Sequence, residues 1–432
     1  MYKYYFLFLL TIRLFSENVD AQAKTDSFFS AVFASNHNPV FQKVLQHRDT
    51  YRCQIIYTQI NRDKNNVPRF TSYYYNYDPN LYFNPASMVK LPLALLALEK
   101  LNKMKVTGVN KYTSMQYDSS YPGQKAMYKD STSANGLPSI AQFIKRAFLI
   151  SENDPYNRLY QFVGQQQINR SLHKKGYNDI RITRQFLGFS EEQNRHTNAI
   201  RFIEDNGKVL YYQPPAFNTD SFDFSHEIKL GKAYLNRNDS LVNEPFDFTR
   251  HNNVSLKDFQ QILQSFLFPE SVRLKQRFDL SKDDESFVLK YLSQYPSETS
   301  YPKYDTSIFY DSYVKFFFND STNKVPRNVR VFNKVGWAYG FLTDVSYIID
   351  TKKNIEFMLA ATLYVNSDEV LNDDKYDFDE VGHPFIYQLG QTIYNYELKR
   401  KRTYKPQLSK FKLEYDKRDP ADTRAVIKIA DN

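Results

Sequence analysis

With 432 residues, 42% of them hydrophobic and 24% charged, the chain can bury a large core and is globular rather than disordered. Its formal charge of +9 arises from 57 basic residues interleaved with 48 acidic ones and no long basic tract, which argues against nucleic acid as a partner. Tyrosine and phenylalanine, 35 of each, predict aromatic packing through the core and along the walls of any cleft.

The first residues predict an export signal. Lys3 supplies the charge, Tyr4 to Ile12 a short apolar run broken by Arg13, and Ala21-Gln22-Ala23 a small-x-small cleavage site, so residues 1–23 would be removed. The run is too short to span a bilayer, and no later segment is apolar enough to do so. The mature chain is therefore expected in the periplasm or outside the cell, without an integral membrane segment. The single cysteine, Cys53, allows no intramolecular disulfide and reads as a small core residue.

Helix-like spacing covers Phe28 to Leu45. Two strand-like runs follow, Tyr51 to Ile60 and Arg69 to Tyr77, joined by a polar, proline-containing link from Asn61 to Pro68. Leu91 to Leu101 is apolar on nearly every side, so it predicts a buried central helix. From about 103 to 325 the pattern is mixed. Ile140, Phe143, Ile144, Ala147 and Phe148 repeat at helical spacing, as do Phe259, Ile262, Leu263 and Phe266. Asp154-Pro155 and Gly164 bracket another helix as its N-cap, first turn and stop.

Strands return at Val329 to Val335, Phe341 to Ile349 and Ile355 to Val365. Their turns fall at Trp337 to Gly340 and Thr351 to Asn354. An amphipathic helix over 385–398, with the basic last turn that a helix dipole favours, precedes a polar tail. This order predicts an α+β fold, an αβα sandwich. Its mostly antiparallel five-stranded sheet is formed by the N- and C-terminal parts of the chain (24–102 and 326–402), with a helical lobe (103–325) inserted between them. Residues 403–432 form a tail, and a cleft is expected where the lobes meet.

Three clusters could carry chemistry. In Ser87-Met88-Val89-Lys90 the two outer residues share one helix face, so the lysine can serve as base for the hydroxyl if its pKa is lowered. Ser-x-x-Lys also occurs at Ser171, Ser300, Ser312, Ser321 and Ser409, but only Ser87 follows a β pair and opens an apolar helix. Ser151-Glu152-Asn153 lies between two helices and offers a hydroxyl and an amide; Ser133-Ala134-Asn135 is a competing match. Lys334-Val335-Gly336 ends a strand, where a glycine permits close approach of substrate to the strand edge.

In order and context the three clusters resemble the signature motifs of class A β-lactamases and penicillin-binding proteins. The resemblance spans roughly residues 28 to 400, with a long departure near 200–250. It implies a serine hydrolase with no cofactor, acting on a β-lactam or a related small-molecule amide or cell-wall peptide. Ser87 would be acylated, Lys90 would be its base, and Ser151, helped by Lys334, would pass a proton to the leaving nitrogen. Asn153, Gly336 and Trp337 would contact substrate, the backbone N–H of Ser87 and Trp337 forming the oxyanion hole. A monomer is expected.

Two departures stand out. Val335 occupies the position at which the family carries a hydroxyl, and no glutamate is assignable as activator of a deacylating water; Glu191 and Glu192 lie in the right region without matching the motif. A D-alanyl carboxypeptidase or esterase on the same scaffold, or a catalytically silent cell-wall binder, remain open at this point. No metal set is expected: the seven histidines are scattered, and the acidic run Asp368 to Glu380 reads as a solvated loop.

Overall fold

A computed structural model describes residues 24–429. The proposed export signal lies outside them. The chain opens with two helices, α1 (Phe28–Phe33) and α2 (Pro39–Gln46), where the spacing predicts one. The break falls at Asn38-Pro39. A residue before proline is driven out of the helical region, and Asn38 turns this to use, accepting hydrogen bonds from the backbone of Val40 and Phe41 as an N-cap. Strands β1 (Gln54–Arg62) and β2 (Pro68–Tyr75) form the expected hairpin. The central helix α3 (Lys90–Met104) is buried along most of its length.

The region read as a helical lobe is more mixed than its sequence suggests. Helices α4 (Ile140–Leu149), α5 (Asn153–Val163) and α6 (Gln165–Lys175) stand where the periodicity puts them or continue it. However, α5 begins one residue before Asp154, which sits in its first turn and pairs with Arg158 instead of capping the helix. A three-stranded antiparallel sheet, not foreseen, joins β3 (Ser114–Asp118), β4 (Ala199–Ile203) and β5 (Val209–Gln213), with the short α7 (Glu191–Arg195) before β4. Four short strands follow, β6 (Lys229–Leu230), β7 (Ala233–Leu235), β8 (Leu241–Val242) and β9 (Phe246–Asp247), then α8 (Leu256–Leu267) and α9 (Lys282–Ser293).

The returning strands are β10 (Val329–Ala338), β11 (Phe341–Asp350) and β12 (Ile355–Tyr364). Tyr339 and Gly340, at φ 54° and 78°, make a two-residue hairpin turn, so β10 runs on through Trp337 and Ala338. Beyond the short β13 (Val370–Leu371), α10 (His383–Lys399) closes the body.

The main sheet has the order β10-β11-β12-β1-β2, all antiparallel, and so unites both ends of the chain as expected. One face packs on the inserted lobe, including α3 and α8; the other, through Val335, Leu342 and Leu363, packs on α1, α2 and α10. This is the αβα sandwich. Cys53 lies fully inside, its thiol pKa raised by burial. The polar tail folds back on the body: Leu408 and Phe411 are buried, with Phe411 against Phe268, Phe332 and Tyr347. Further on, Arg418 donates to the carbonyls of Pro296, Thr299 and Tyr304. Among the described residues, no helix is long and apolar enough to cross a membrane.

Candidate active site

Ser87 lies in a single 3₁₀ turn, Ala86–Val89, immediately before α3. The turn is entered under strain: Ala86 has φ 42°, and its N–H is held by the Asn84 side chain at 2.9 Å. Lys90, the first residue of α3, is fully buried, and its Nζ donates to Ser87 Oγ at 2.7 Å. The same nitrogen lies 2.7 Å from Asn153 Oδ1 and 3.3 Å from Ser151 Oγ, and donates to the Ser151 carbonyl.

Ser151 sits between α4 and α5 with φ 69°, the left-handed region that a serine adopts only when its surroundings enforce it. The enforcement comes from Glu152. Its buried carboxylate pairs with Arg146 at 2.6 Å and accepts from the Tyr304 hydroxyl at 2.5 Å. Lys334, on β10, donates to Ser151 Oγ at 2.8 Å. Three clusters distant in the chain therefore meet around one hydroxyl. Ser133 takes no part; it bonds to Asp130 and Asn135.

Burial is the largest cause holding Lys90 well below the usual lysine range. The charge of Lys334 adds to it and Glu152 opposes it. Lys334 is held down as well, by burial first and then by Lys315.

Gly336 has a different reason from the one read in the sequence. A Cβ there would collide with the Pro85 carbonyl oxygen and stand 2.9 Å from Met88 Cγ. The close approach is therefore made by β10 to the turn that carries Ser87, not by substrate. Replacing Gly336 with alanine should push strand and turn apart. We expect acylation of Ser87 to slow by 10-fold or more, on the order of what misplacing reacting groups by an ångström costs, while far-ultraviolet circular dichroism stays unchanged. An unchanged acylation rate would show that this contact does not set the site. Val335 is fully buried in the outer core, so its side chain is unavailable to a ligand.

Ser87, Asn153 and Trp337 open onto a cleft of about 770 Å³. Its other wall was not legible in the sequence: Arg184, Phe186, Tyr234, Phe246, His251 and Tyr339 line it, four of them from the segment after Arg181 or from the β7–β9 region. The departure near 200–250 thus contributes part of the cleft. Glu191 and Glu192 are exposed and pair with Arg250 and His196. Among the described residues lining the cleft, the only carboxylate belongs to Asp239, which is exposed. No group of three or more His, Cys, Asp or Glu stands where it could hold a metal ion among the described residues.

Sheet order, layering and the buried helix behind a strained serine turn define the class as a β-lactamase-like serine hydrolase fold. Residues 41–206, which carry the first two clusters, match the β-lactamase enzyme family. Among solved structures, the chain is similar to a β-lactamase from Sphaerobacter thermophilus (14% identity, 85% of this chain and 97% of that one, TM-score 0.44). It is also similar to one from Xanthomonas campestris pv. campestris (12%, 84% and 97%, 0.46) and to the TLA-1 extended-spectrum β-lactamase (14%, 83% and 98%, 0.45). A comparison with curated proteins found no match.

Proposed function

We propose that the protein is an exported serine hydrolase that forms an acyl-enzyme at Ser87 with a β-lactam or a related amide. The single observation that carries this is the 2.7 Å contact between Ser87 Oγ and Lys90 Nζ, made by a lysine whose burial favours the neutral, proton-accepting amine. In the acylation step Lys90 takes the Ser87 proton as Oγ attacks the carbonyl carbon. The C–N bond then breaks, and the leaving nitrogen takes the proton of the Ser151 hydroxyl. Lys90, 3.3 Å from Ser151 Oγ, gives Ser151 the proton it took from Ser87, while Lys334 holds the same oxygen at 2.8 Å. The backbone N–H groups of Ser87 and Trp337 would receive the oxyanion, each worth about 3 kcal/mol in the transition state. Asn153 would hold the substrate amide.

A second reading on the same scaffold, a D-alanyl carboxypeptidase or other penicillin-binding enzyme, is favoured by one observation. Among the described cleft residues the one carboxylate is that of the exposed Asp239, and Glu191 and Glu192 lie outside the cleft lining, paired with Arg250 and His196, so no buried carboxylate of the lining is available to activate a deacylating water. Intact-mass measurement after exposure to a fluorescent penicillin tests both. A lasting adduct on Ser87, absent in Ser87→Ala, supports acyl transfer with slow release. Rapid hydrolysis of a chromogenic cephalosporin supports a β-lactamase. Well-folded protein that shows neither would rule out the acyl-transfer reading and leave a non-catalytic cell-wall binder.

A further inference from the structure

The wall facing the catalytic groups holds an arginine with no structural task for its charge. The backbone of Arg184 is pinned on both sides: its N–H donates to Asn252 Oδ1 at 3.0 Å, and its carbonyl accepts from the Tyr156 hydroxyl at 2.7 Å. Its guanidinium meets His251 Nε2 at 2.5 Å. Burial first, and the Arg184 charge second, push His251 down to about 3, so the imidazole is neutral and Nε2 can accept from the guanidinium. His251 is itself boxed in by Phe248, Phe246 and Tyr339, with ring centroids 5.0, 5.5 and 5.8 Å away.

Of the acidic residues nearby, Glu191 pairs with Arg250, Glu192 with His196 and Asp220 with Arg170, while the exposed Asp239 lines the same cleft. Among the described residues Arg184 forms no ion pair, and it is partly buried while lining the cleft with Ser87. A preorganised fork of donors in an aromatic-walled cleft is suited to a carboxylate, which it can bind through two parallel hydrogen bonds.

The wall also says which part of the substrate is read. On the acyl-transfer reading Ser151 and Lys334 serve the leaving nitrogen; among the described residues Arg184 shares no hydrogen bond with either and is joined through His251 to the hairpin tip at Tyr339, with Phe186, whose ring lies 5.2 Å from Lys90 Nζ, two residues on. Resting on the acyl-transfer reading above, we propose that the cleft selects acyl donors carrying a carboxylate on the acyl side chain, and that Arg184, set by His251, recognises it.

Benzylpenicillin and α-carboxybenzylpenicillin differ only by that carboxylate. Their equilibrium binding to Ser87→Ala protein, measured by calorimetry, should favour the carboxylated compound by about 10- to 100-fold. In Ser87→Ala/Arg184→Gln the ratio should fall towards one, and in Ser87→Ala/Arg184→Lys it should be intermediate, because the charge remains and the fork is lost. Comparing two ligands on one protein keeps the test valid if a variant is partly unfolded, since both affinities would then fall together. A ratio near one in Ser87→Ala, a ratio untouched by Arg184→Gln, or no binding of either compound overturns the inference. Acylation of the unmodified protein by benzylpenicillin, followed by intact mass, reports separately on the acyl-transfer reading.

Discussion

Replacing Lys90 with methionine should slow acylation of Ser87 by about 10²- to 10⁴-fold, the usual share of a positioned general base. The side chain is nearly isosteric but cannot accept a proton, and the Ser87 hydroxyl is otherwise a weak nucleophile. Loss of the amine also leaves Asn153 Oδ1 and the Ser151 carbonyl without a donor, so folding should be verified by circular dichroism before rates are compared. Lys334 gives an independent handle on the same group. In the native protein the acylation rate should climb with pH as Lys90 loses its proton, and burial together with the Lys334 charge lowers the pH at which that happens. In Lys334→Met the repulsion is gone, the Lys90 ammonium is less disfavoured, and the rising limb should shift to higher pH. A limb that stays in place would mean that Lys90 is not the titrating base.

How much of this could be read beforehand follows from how local each signal is. The strands β10 to β12 are long β-branched and aromatic runs separated by turn residues, so their identity needs no knowledge of the rest of the chain. Ser87 and Lys90 share a helix face by spacing alone, and the apolar run after them fixes their depth. The same spacing at Ser312 and Lys315 yields a buried pair pointed elsewhere: Lys315 donates to the Leu292 carbonyl and to Asn333. Context selects among equal motifs, and that context is already present in the order of elements. What escaped is non-local. Arg184 carries no pattern of its own, and its role depends on His251 and Asn252, nearly seventy residues away. The pairing of β3 with β4 joins residues as far apart in the chain as Asp118 and Ala199, and the tail looks polar because, besides the buried Leu408 and Phe411, it is held by polar side chains such as Arg418. Gly336 was noticed for the right reason, close approach, but the approaching group is the Pro85 backbone, a fact that only tertiary structure supplies.

The largest expected loss of stability lies one residue before Lys334. Asn333 is buried at the sheet edge and links two opposite charges that do not touch: its Oδ1 accepts from Lys315 Nζ at 2.7 Å, and its Nδ2 donates to Asp344 Oδ1 at 2.9 Å and to the Val314 carbonyl at 2.8 Å. Asp344 also accepts from the Ser346 hydroxyl at 2.7 Å and from the Phe316 N–H at 3.1 Å. Burial, the first cause for both, pushes Asp344 up to about 7 and Lys315 down to about 7, so both groups titrate near neutrality where the fold must hold them. Asn333→Leu fills a similar volume but strips a partner from each group, and a buried polar or charged group left short costs about 1–3 kcal/mol or more. We expect the variant to lose about 3 kcal/mol or more in urea titration, with the denaturant slope unchanged. The Lys315 charge helps to hold Lys334 below the usual lysine range, so the acylation pH profile should move in the same variant. Stability within 1 kcal/mol of the native protein would show that the two charges are satisfied without Asn333, and that β10 is held in place by its strand pairing and by the Pro85 contact at Gly336.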